Sequence, residues 1–306
     1  MFKKIGPDFL ITGLERSGTH WVAGLLNAHP EISCFPADYF DKGFGEYNRE
    51  IIGEVHLFNT LASLELNTED KHTRPISGYL TKHNLIFADL AALEGKVPKE
   101  ELYNMFIKRY NEICEENRYG KKMVGESTPA YVFHLDFIDS FYPNIKKLCI
   151  IRDPKDKIVS WHFSKLRKGQ KTEVVITDEF IKEYCEKTIK KEYESLLDYK
   201  GNIYCFTYES LAENQNGVLC DILSYLDVAI NADIISHMIK EGSFKEMTAK
   251  GNITGGRDNG QEELQSPYRK GVVGDWVNHM TKKQAELVDA IVGEVRKMTF
   301  NKYKIY

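Results

Sequence analysis

Short, nearly continuous apolar runs alternate along the chain with longer stretches in which apolar residues recur at helical spacing. The runs are Phe9–Thr12, Lys122–Glu126, Leu148–Ile151 and Ile203–Thr207. Unbroken rather than alternating hydrophobicity marks strands covered by other elements on both faces. Helical periodicity is found at Thr19–Ala28, Lys99–Asn117, Phe133–Phe141, Asp156–Leu166, Glu179–Tyr199, Gly217–Leu226, Ala232–Glu241 and Lys282–Met298. The order predicts a three-layer α/β fold, with helices on both sides of a central parallel sheet of four or five strands. Pro154 follows Arg152-Asp153, where proline suits the first turn of a helix. Two stretches carry no periodicity, Asp38–Arg49 and Lys250–Tyr268. The second is rich in Gly and Asn and about twenty residues long, a length more typical of lids and binding loops than of linkers. With no internal repeat or low-complexity tract, residues 1–306 are expected to form a single domain.

Composition narrows the function classes. The 306 residues are 42% hydrophobic, enough to bury a full core. The 41 basic and 45 acidic residues leave a formal charge of −4, which argues against wholesale nucleic-acid binding or a polybasic membrane surface. Any anion site must therefore be local. The six cysteines form no C-x-x-C pair and no cluster with His at metal spacing. Cys149 and Cys205 sit in strand-like runs, so buried free thiols are expected rather than disulfides. The N-terminal apolar stretch before Gly13 is five residues, too short for a signal peptide or a membrane span. These features lead to an expectation of a cytoplasmic protein with a small-molecule partner.

Two segments carry the chemistry. In the first, an apolar strand (Phe9-Leu10-Ile11) enters a turn holding Gly13 and Gly18, and a helix begins near Thr19. Such a turn aims free backbone N–H groups and the positive end of a helix dipole at an anion. Arg16 adds a fixed charge at its mouth. The second segment, Cys149–Ser164, runs from another strand to Arg152 at its carboxyl end and to Ser160 in the following helix. A guanidinium offers a bidentate fork to phosphate, and a hydroxyl adds a further donor. The two read as phosphate clamps on neighbouring strands. A Walker A loop would require G-x-x-x-x-G-K-S/T. Gly13 and Gly18 are in place, but Thr19-His20 stands where Lys-Ser/Thr should be, and no strand ends in a lone Asp. A magnesium-dependent kinase or ATPase is disfavoured, and Asp153 and Asp156 lack the company of a metal-binding cluster.

Arg16-Ser17-Gly18-Thr19-His20-Trp21 resembles the phosphate loop K/R-S-G-T-x-W/L of sulfotransferases that use 3′-phosphoadenosine 5′-phosphosulfate (PAPS). Arg152 and Ser160 are similar to that family's 3′-phosphate element. Tyr268–Thr281, YRKGVVGDWVNHMT, resembles its R-K-G-x-x-G-D-W-x-N-x-x-T signature, and Ser243–Met247 resembles a segment that packs an aromatic ring on adenine. The resemblance implies the α/β fold already expected and a transfer that releases adenosine 3′,5′-bisphosphate (PAP). It implies that Arg16 contacts the bridging oxygen as it becomes a leaving group, and that Ser17, Gly18, Thr19 and His20 hold the 5′-phosphate. Trp21 and Phe244 would flank adenine, with Tyr208 a further nucleotide contact. Arg152, Ser160, Arg269, Lys270 and Gly271 would hold the 3′-phosphate. No metal is implied, because Arg and Lys supply the neutralising charge.

The resemblance leaves the proton acceptor open. Soluble sulfotransferases use a His in a K-x-H element, and Thr81-Lys82-His83-Asn84 matches it loosely, which makes His83 one candidate. Carbohydrate and tyrosyl-protein enzymes use a Glu past the phosphate-loop helix, whose end is similar to Asn27–Ile32. Asp38 has about the right distance from Arg16. Glu54, sixteen residues later, lies in Glu54-Val55-His56-Leu57-Phe58, which resembles the E-x-H-x-F element of heparan-type enzymes. The order of preference is Glu54, Asp38, His83. Gly125–Tyr131 resembles G-E-K-T-P-x-Y with Ser127 in place of the Lys, which leaves Lys82 or Arg16 to carry its charge. The function implied is sulfuryl transfer to a hydroxyl, before an amine, of a small molecule. Carbohydrate or tyrosyl-protein acceptors, and a PAPS-binding protein without turnover, remain the alternatives.

Overall fold

The computed structural model describes residues 6–35, 54–66, 87–170, 175–249 and 255–305. Its strands are β1 (Phe9–Thr12), β2 (Ile32–Phe35), β3 (Met123–Ser127), β4 (Lys146–Ile151) and β5 (Tyr204–Thr207). They form one parallel sheet in the order β2-β3-β1-β4-β5. The helices, in chain order, are α1 (Thr19–Asn27), α2 (Leu57–Leu66), α3 (Ala88–Ala91), α4 (Lys99–Glu116), α5 (Leu135–Phe141) and α6 (Pro154–Arg167). They continue with α7 (Asp178–Tyr184), α8 (Lys190–Asp198), α9 (Tyr208–Glu213), α10 (Gln215–Leu226), α11 (Ala232–Glu241), α12 (Phe244–Ala249) and α13 (Lys282–Tyr303). No helix among the described residues is long and apolar enough to cross a membrane.

The strands are apolar throughout because each face of the sheet is covered. Phe9 and Ile11 of β1 join Leu148 and Ile150 of β4 in one cluster with residues of α1, α10 and α11. The alternate residues face the other way. Leu10 packs with α2 and α4, while Cys149 and Ile151 pack with α6, α7, α8 and α13. This is the two-residue period of a strand read in three dimensions. Gly125 leaves room for this packing, since a Cβ there would lie 2.2 Å from the Phe9 ring. Cys149 and Cys205 are in-register neighbours on β4 and β5, and all six cysteines are free.

β2 is the strand that the apolar pattern does not reveal. Its sequence, Ile-Ser-Cys-Phe, is interrupted by Ser33, whose buried hydroxyl donates to the Asn117 carbonyl at 2.6 Å. The helix expected over Glu179–Tyr199 is split into α7 and α8 by a π turn at Cys185–Ile189. α6 begins at Pro154, capped by Asp153, whose side chain accepts from Lys155 N at 2.8 Å. The irregular reading of the second unpatterned stretch holds for its described part, residues 255–268, where no helix or strand forms.

β1 and β4 are adjacent, with Thr12 level with Cys149. The turn after β1 and the loop after β4 therefore emerge side by side at the carboxyl edge, where parallel sheets bind ligands. They are joined from beneath. Glu192 of α8 and Lys157 of α6 form an ion pair in which both side chains are fully buried. The same carboxylate accepts from the Leu14 backbone N–H at 2.6 Å. Lys157→Met should lower stability by about 3–5 kcal/mol, the usual cost of leaving a buried charge without its partner. Urea unfolding measures it, and a loss under 1 kcal/mol would show that the pair is not a strut.

Candidate functional site

The turn between β1 and α1 is shaped by backbone that bulky side chains avoid. Gly13 has φ +132° and Gly18 has φ +104°, and a Cβ at Gly13 would lie 2.2 Å from the Ile150 carbonyl oxygen. Arg16, at φ +73°, also adopts the left-handed region. No side chain caps α1, so its first turn of N–H groups faces the cradle. The Ser17 hydroxyl is buried there without a hydrogen-bond partner. A buried, unsatisfied donor beside an uncapped helix start is the arrangement a bound anion would satisfy.

Three cation and hydroxyl groups converge on this cradle. Arg16 Nε donates to Ser160 Oγ at 3.1 Å, joining the two predicted clamps. Burial, then the charges of Arg167 and Arg152, push the Arg16 guanidinium down to about 10. Arg152 lies 4.2 Å over the Tyr208 ring and donates to the Arg16 carbonyl at 3.3 Å. Carbonyls of the segment 266–272 drape across these groups. Arg167 donates to Ser266 O at 2.9 Å, Arg16 to Pro267 O at 2.7 Å, and Arg152 to Val272 O at 3.2 Å.

Other predicted nucleotide contacts fall at the same edge. Trp21 packs its ring 5.1 Å from Tyr208 and donates from Nε1 to the Gly242 carbonyl at 2.9 Å. Gly271 has φ +67°, and a Cβ there would lie 2.4 Å from the Phe244 ring. Thr19 is buried in the first turn of α1. The charged ends of Arg269 and Lys270 are both held by Asp275, which lies 2.6 Å from Lys270 Nζ and also pairs with Arg269. Asp156 in turn accepts from Gly274 N at 2.7 Å and Trp276 N at 3.0 Å, fixing this tail against α6. Neither Asp156 nor Asp275 stood out in the sequence as a positioning residue, although Asp275 lies within the R-K-G-x-x-G-D-W element.

The acidic side is separate. Glu54 sets one oxygen 3.2 Å from His20 Nε2 and the other 2.9 Å from His56 Nε2. Burial raises the Glu54 carboxyl, but the contacts of His20 and His56 outweigh it and hold the group well below the carboxylate range. The expected 5′-phosphate residue His20 thus directs its imidazole to this acid. From behind, Glu126 accepts from Val55 N at 3.2 Å and from Tyr110 OH at 2.7 Å, and Leu57 N donates to Tyr131 OH at 3.1 Å. Burial raises the Glu126 carboxyl, opposed by its hydrogen bonds from Thr128 and Tyr110. Asp38 and His83, with Lys82, lie outside the described residues.

Glu262, Asp275 and His279 bring ligand atoms within 4.8 Å of one another. Arg269 pairs with both acids, so their charge is already met by a guanidinium.

A parallel sheet with a glycine-shaped turn and arginine side chains gathered at its carboxyl edge has the architecture of phosphate-handling α/β proteins. The chain matches the family described as "Sulfotransferase domain" over residues 6–300, and it belongs to that family. It is 25% identical over 186 residues to "Sulfotransferase 2B1" of Homo sapiens, covering 56% of this chain and 49% of that protein. The chain thus spans about half the length of that relative. It is 22% identical over 267 residues to "Amine sulfotransferase" of Oryctolagus cuniculus, covering 80% of this chain and 86% of that one. Among solved structures it resembles mouse sulfotransferase SULT7A1 complexed with PAP, with a TM-score of 0.56 and 17% identity. That alignment covers 97% of this chain and 89% of the mouse chain, and it bears out the fold.

The tail offers a test of its own. Burial raises the Asp275 carboxyl, but hydrogen bonds from Lys270 and Arg269 dominate and hold it well below its ordinary value. A depressed carboxyl contributes stability that is present above the unfolded value of about 3.9 and is lost as pH falls toward the folded value. Asp275→Asn should therefore destabilise the protein by about 1.5–3 kcal/mol at neutral pH. Urea unfolding of both proteins should show the difference shrinking below about pH 4. A difference independent of pH would rule out the ion pairs as its source.

Proposed function

We propose that this protein transfers the sulfuryl group of PAPS to a hydroxyl of a small-molecule acceptor. The observation that carries the reading is the junction of the two clamps, where Arg16 of the β1 turn meets Ser160 of α6 under Arg152. Family membership supports the chemistry, the PAP complex of the mouse enzyme supports the cofactor, and the amine sulfotransferase among its relatives supports a small-molecule acceptor. The reading takes residues 1–306 as one domain, and the family match over residues 6–300 supports it. Buried free thiols support a reducing, cytoplasmic setting.

In this reading the cradle of Ser17, Gly18 and Thr19 holds the 5′-phosphate with backbone N–H groups and hydroxyls, which need no metal. Arg16 lies where charge develops on the leaving oxygen. Arg152, Ser160 and the 269–271 segment take the 3′-phosphate. Because Asp275 engages the Arg269 and Lys270 side chains, the Gly271 backbone is the closer approach there. Trp21, Tyr208 and Phe244 supply the aromatic surfaces for the base. When bound, PAPS supplies the sulfuryl group, and PAP is the product. Glu54 accepts the acceptor's proton, and its neighbours keep it ionised for that purpose. Asp38 and His83 stay second and third as proton acceptors.

Calorimetric titration with PAP, ADP and ATP in the absence of metal tests the cofactor. PAP should bind most tightly, and Arg152→Ala should weaken it by about ten- to a hundredfold, the loss of one charge-assisted contact of roughly 1.5–3 kcal/mol. A preference for ATP, or unchanged affinity in the variant, would defeat the assignment. Glu54→Gln should leave PAP affinity nearly intact while turnover of labelled PAPS with a phenol acceptor falls by about a hundredfold or more.

A further inference from the structure

His20 lies in the first turn of the helix that opens the phosphate cradle, and the motif there suggests a phosphate ligand. Its imidazole points elsewhere. His20 Nε2 stands 3.2 Å from Glu54 Oε1, while His56 Nε2 stands 2.9 Å from Glu54 Oε2. The two imidazoles come from different elements, one from α1 and the other from the segment that enters α2. His56 reaches its place through a left-handed backbone, with φ +52°.

We propose that the His20 imidazole positions the proton acceptor, while the backbone N–H of His20 stays with the phosphate cradle. The imidazole fixes Glu54 from the cofactor side while His56 fixes it from the acceptor side. The inference rests on the reading of Glu54 as base. A glutamate carries three rotatable bonds, and a base must lie within hydrogen-bond reach of the proton it removes. His56 Nε2 hydrogen-bonds one oxygen and His20 Nε2 stands within ion-pair distance of the other, so an imidazole flanks each oxygen of the carboxylate. Because one imidazole rides on α1, the helix whose start forms the phosphate cradle also sets the position of the base. The backbone of the same segment is held independently by Glu126 and Tyr131. His20 therefore governs the carboxylate without being needed to hold the loop. In the reaction the acceptor O–H bond breaks and its proton passes to Glu54, as the new O–S bond forms and the sulfur–oxygen bond to the 5′-phosphate breaks. His20 forms and breaks no covalent bond in that exchange.

The experiment compares wild type with His20→Ala, using PAP calorimetry and carbon-13 NMR titration of the glutamate carboxyls, with Glu54→Gln assigning the Glu54 signal. The charged and titratable groups facing Glu54 among the described residues are His20, His56 and Glu15. The expected result is PAP affinity within about twofold of wild type, together with a Glu54 carboxyl that titrates at higher pH than in wild type. Turnover of labelled PAPS with a phenol acceptor should fall by about tenfold or more, and His20→Gln, which retains a donor, should restore part of it. A tenfold loss of PAP affinity, or a Glu54 titration unmoved by the substitution, would overturn the proposal. If His20→Ala does not fold, His20→Leu, which also lacks a donor, carries the same comparison. Full turnover in Glu54→Gln would instead remove the base reading, and the His20 contact, read from the titration, would stand or fall separately.

Discussion

Everything at the carboxyl edge of the sheet depends on one buried carboxylate. Glu192 accepts from the Leu14 amide in the turn after β1 and pairs with Lys157 on the helix after β4. Taking two charges out of water is costly, and a buried pair repays that cost only when its remaining lone pairs are also satisfied. Here the second oxygen has the Leu14 amide, so the carboxylate has a donor for each oxygen. The pair consequently sets the spacing between the cradle that starts at Leu14 and the helix that carries Ser160. The π turn at Cys185–Ile189 lies just ahead of Glu192. One inserted residue rotates the rest of a helix by roughly 100°. That rotation is what turns an acid on an otherwise amphipathic helix toward the sheet.

Above this strut the site is divided by sign of charge. Arg16, Arg152 and Arg167 donate to the carbonyls of the 266–272 segment, so the phosphate side is a cationic surface held by neutral oxygen. Arg152 also lies 3.9 Å from the buried Asp156 carboxylate, which meets part of its charge, whereas a carbonyl partner carries no net charge of its own. The opposite side holds Glu54 between two imidazoles. A sulfuryl group moving from a phosphate to a hydroxyl needs positive charge where the leaving oxygen develops and a proton acceptor where the nucleophile enters. Under the proposed function, the separation would meet both needs within a chain whose formal charge is only −4.

The parts of this site proposed to hold phosphate were legible in the sequence because their chemistry is local. Gly13, Gly18 and Arg16 stand within one turn, and Arg152 and Ser160 lie within one strand–helix step. Four of the five strands were legible for a similar reason, since burial on both faces leaves an apolar run, whereas β2 was hidden by the polar Ser33. The residues that organise the site were not legible, because their partners are far away in the chain. Leu14 and Glu192 are 178 residues apart, and Gly274 and Asp156 are 118 apart. A glutamate on a helix reads as a solvated residue until its partners are known. His20 is legible only in part. The motif gives its place in the turn, but not the contact of its imidazole with Glu54.

Ser127 shows how such a substitution is absorbed. The resembling element carries a Lys there, and in this chain a small hydroxyl is buried at the end of β3 without a hydrogen-bond partner. Replacing a cation by a neutral group removes one positive charge from the half of the site where negative charge develops. Lys82 is outside the described residues, so among those described Arg16 is the cation best placed to compensate. Its guanidinium is pushed down only to about 10, so it remains charged at neutral pH despite burial beside Arg152 and Arg167. Under the proposed function, phosphate oxygens arriving between these three groups would relieve the repulsion among them.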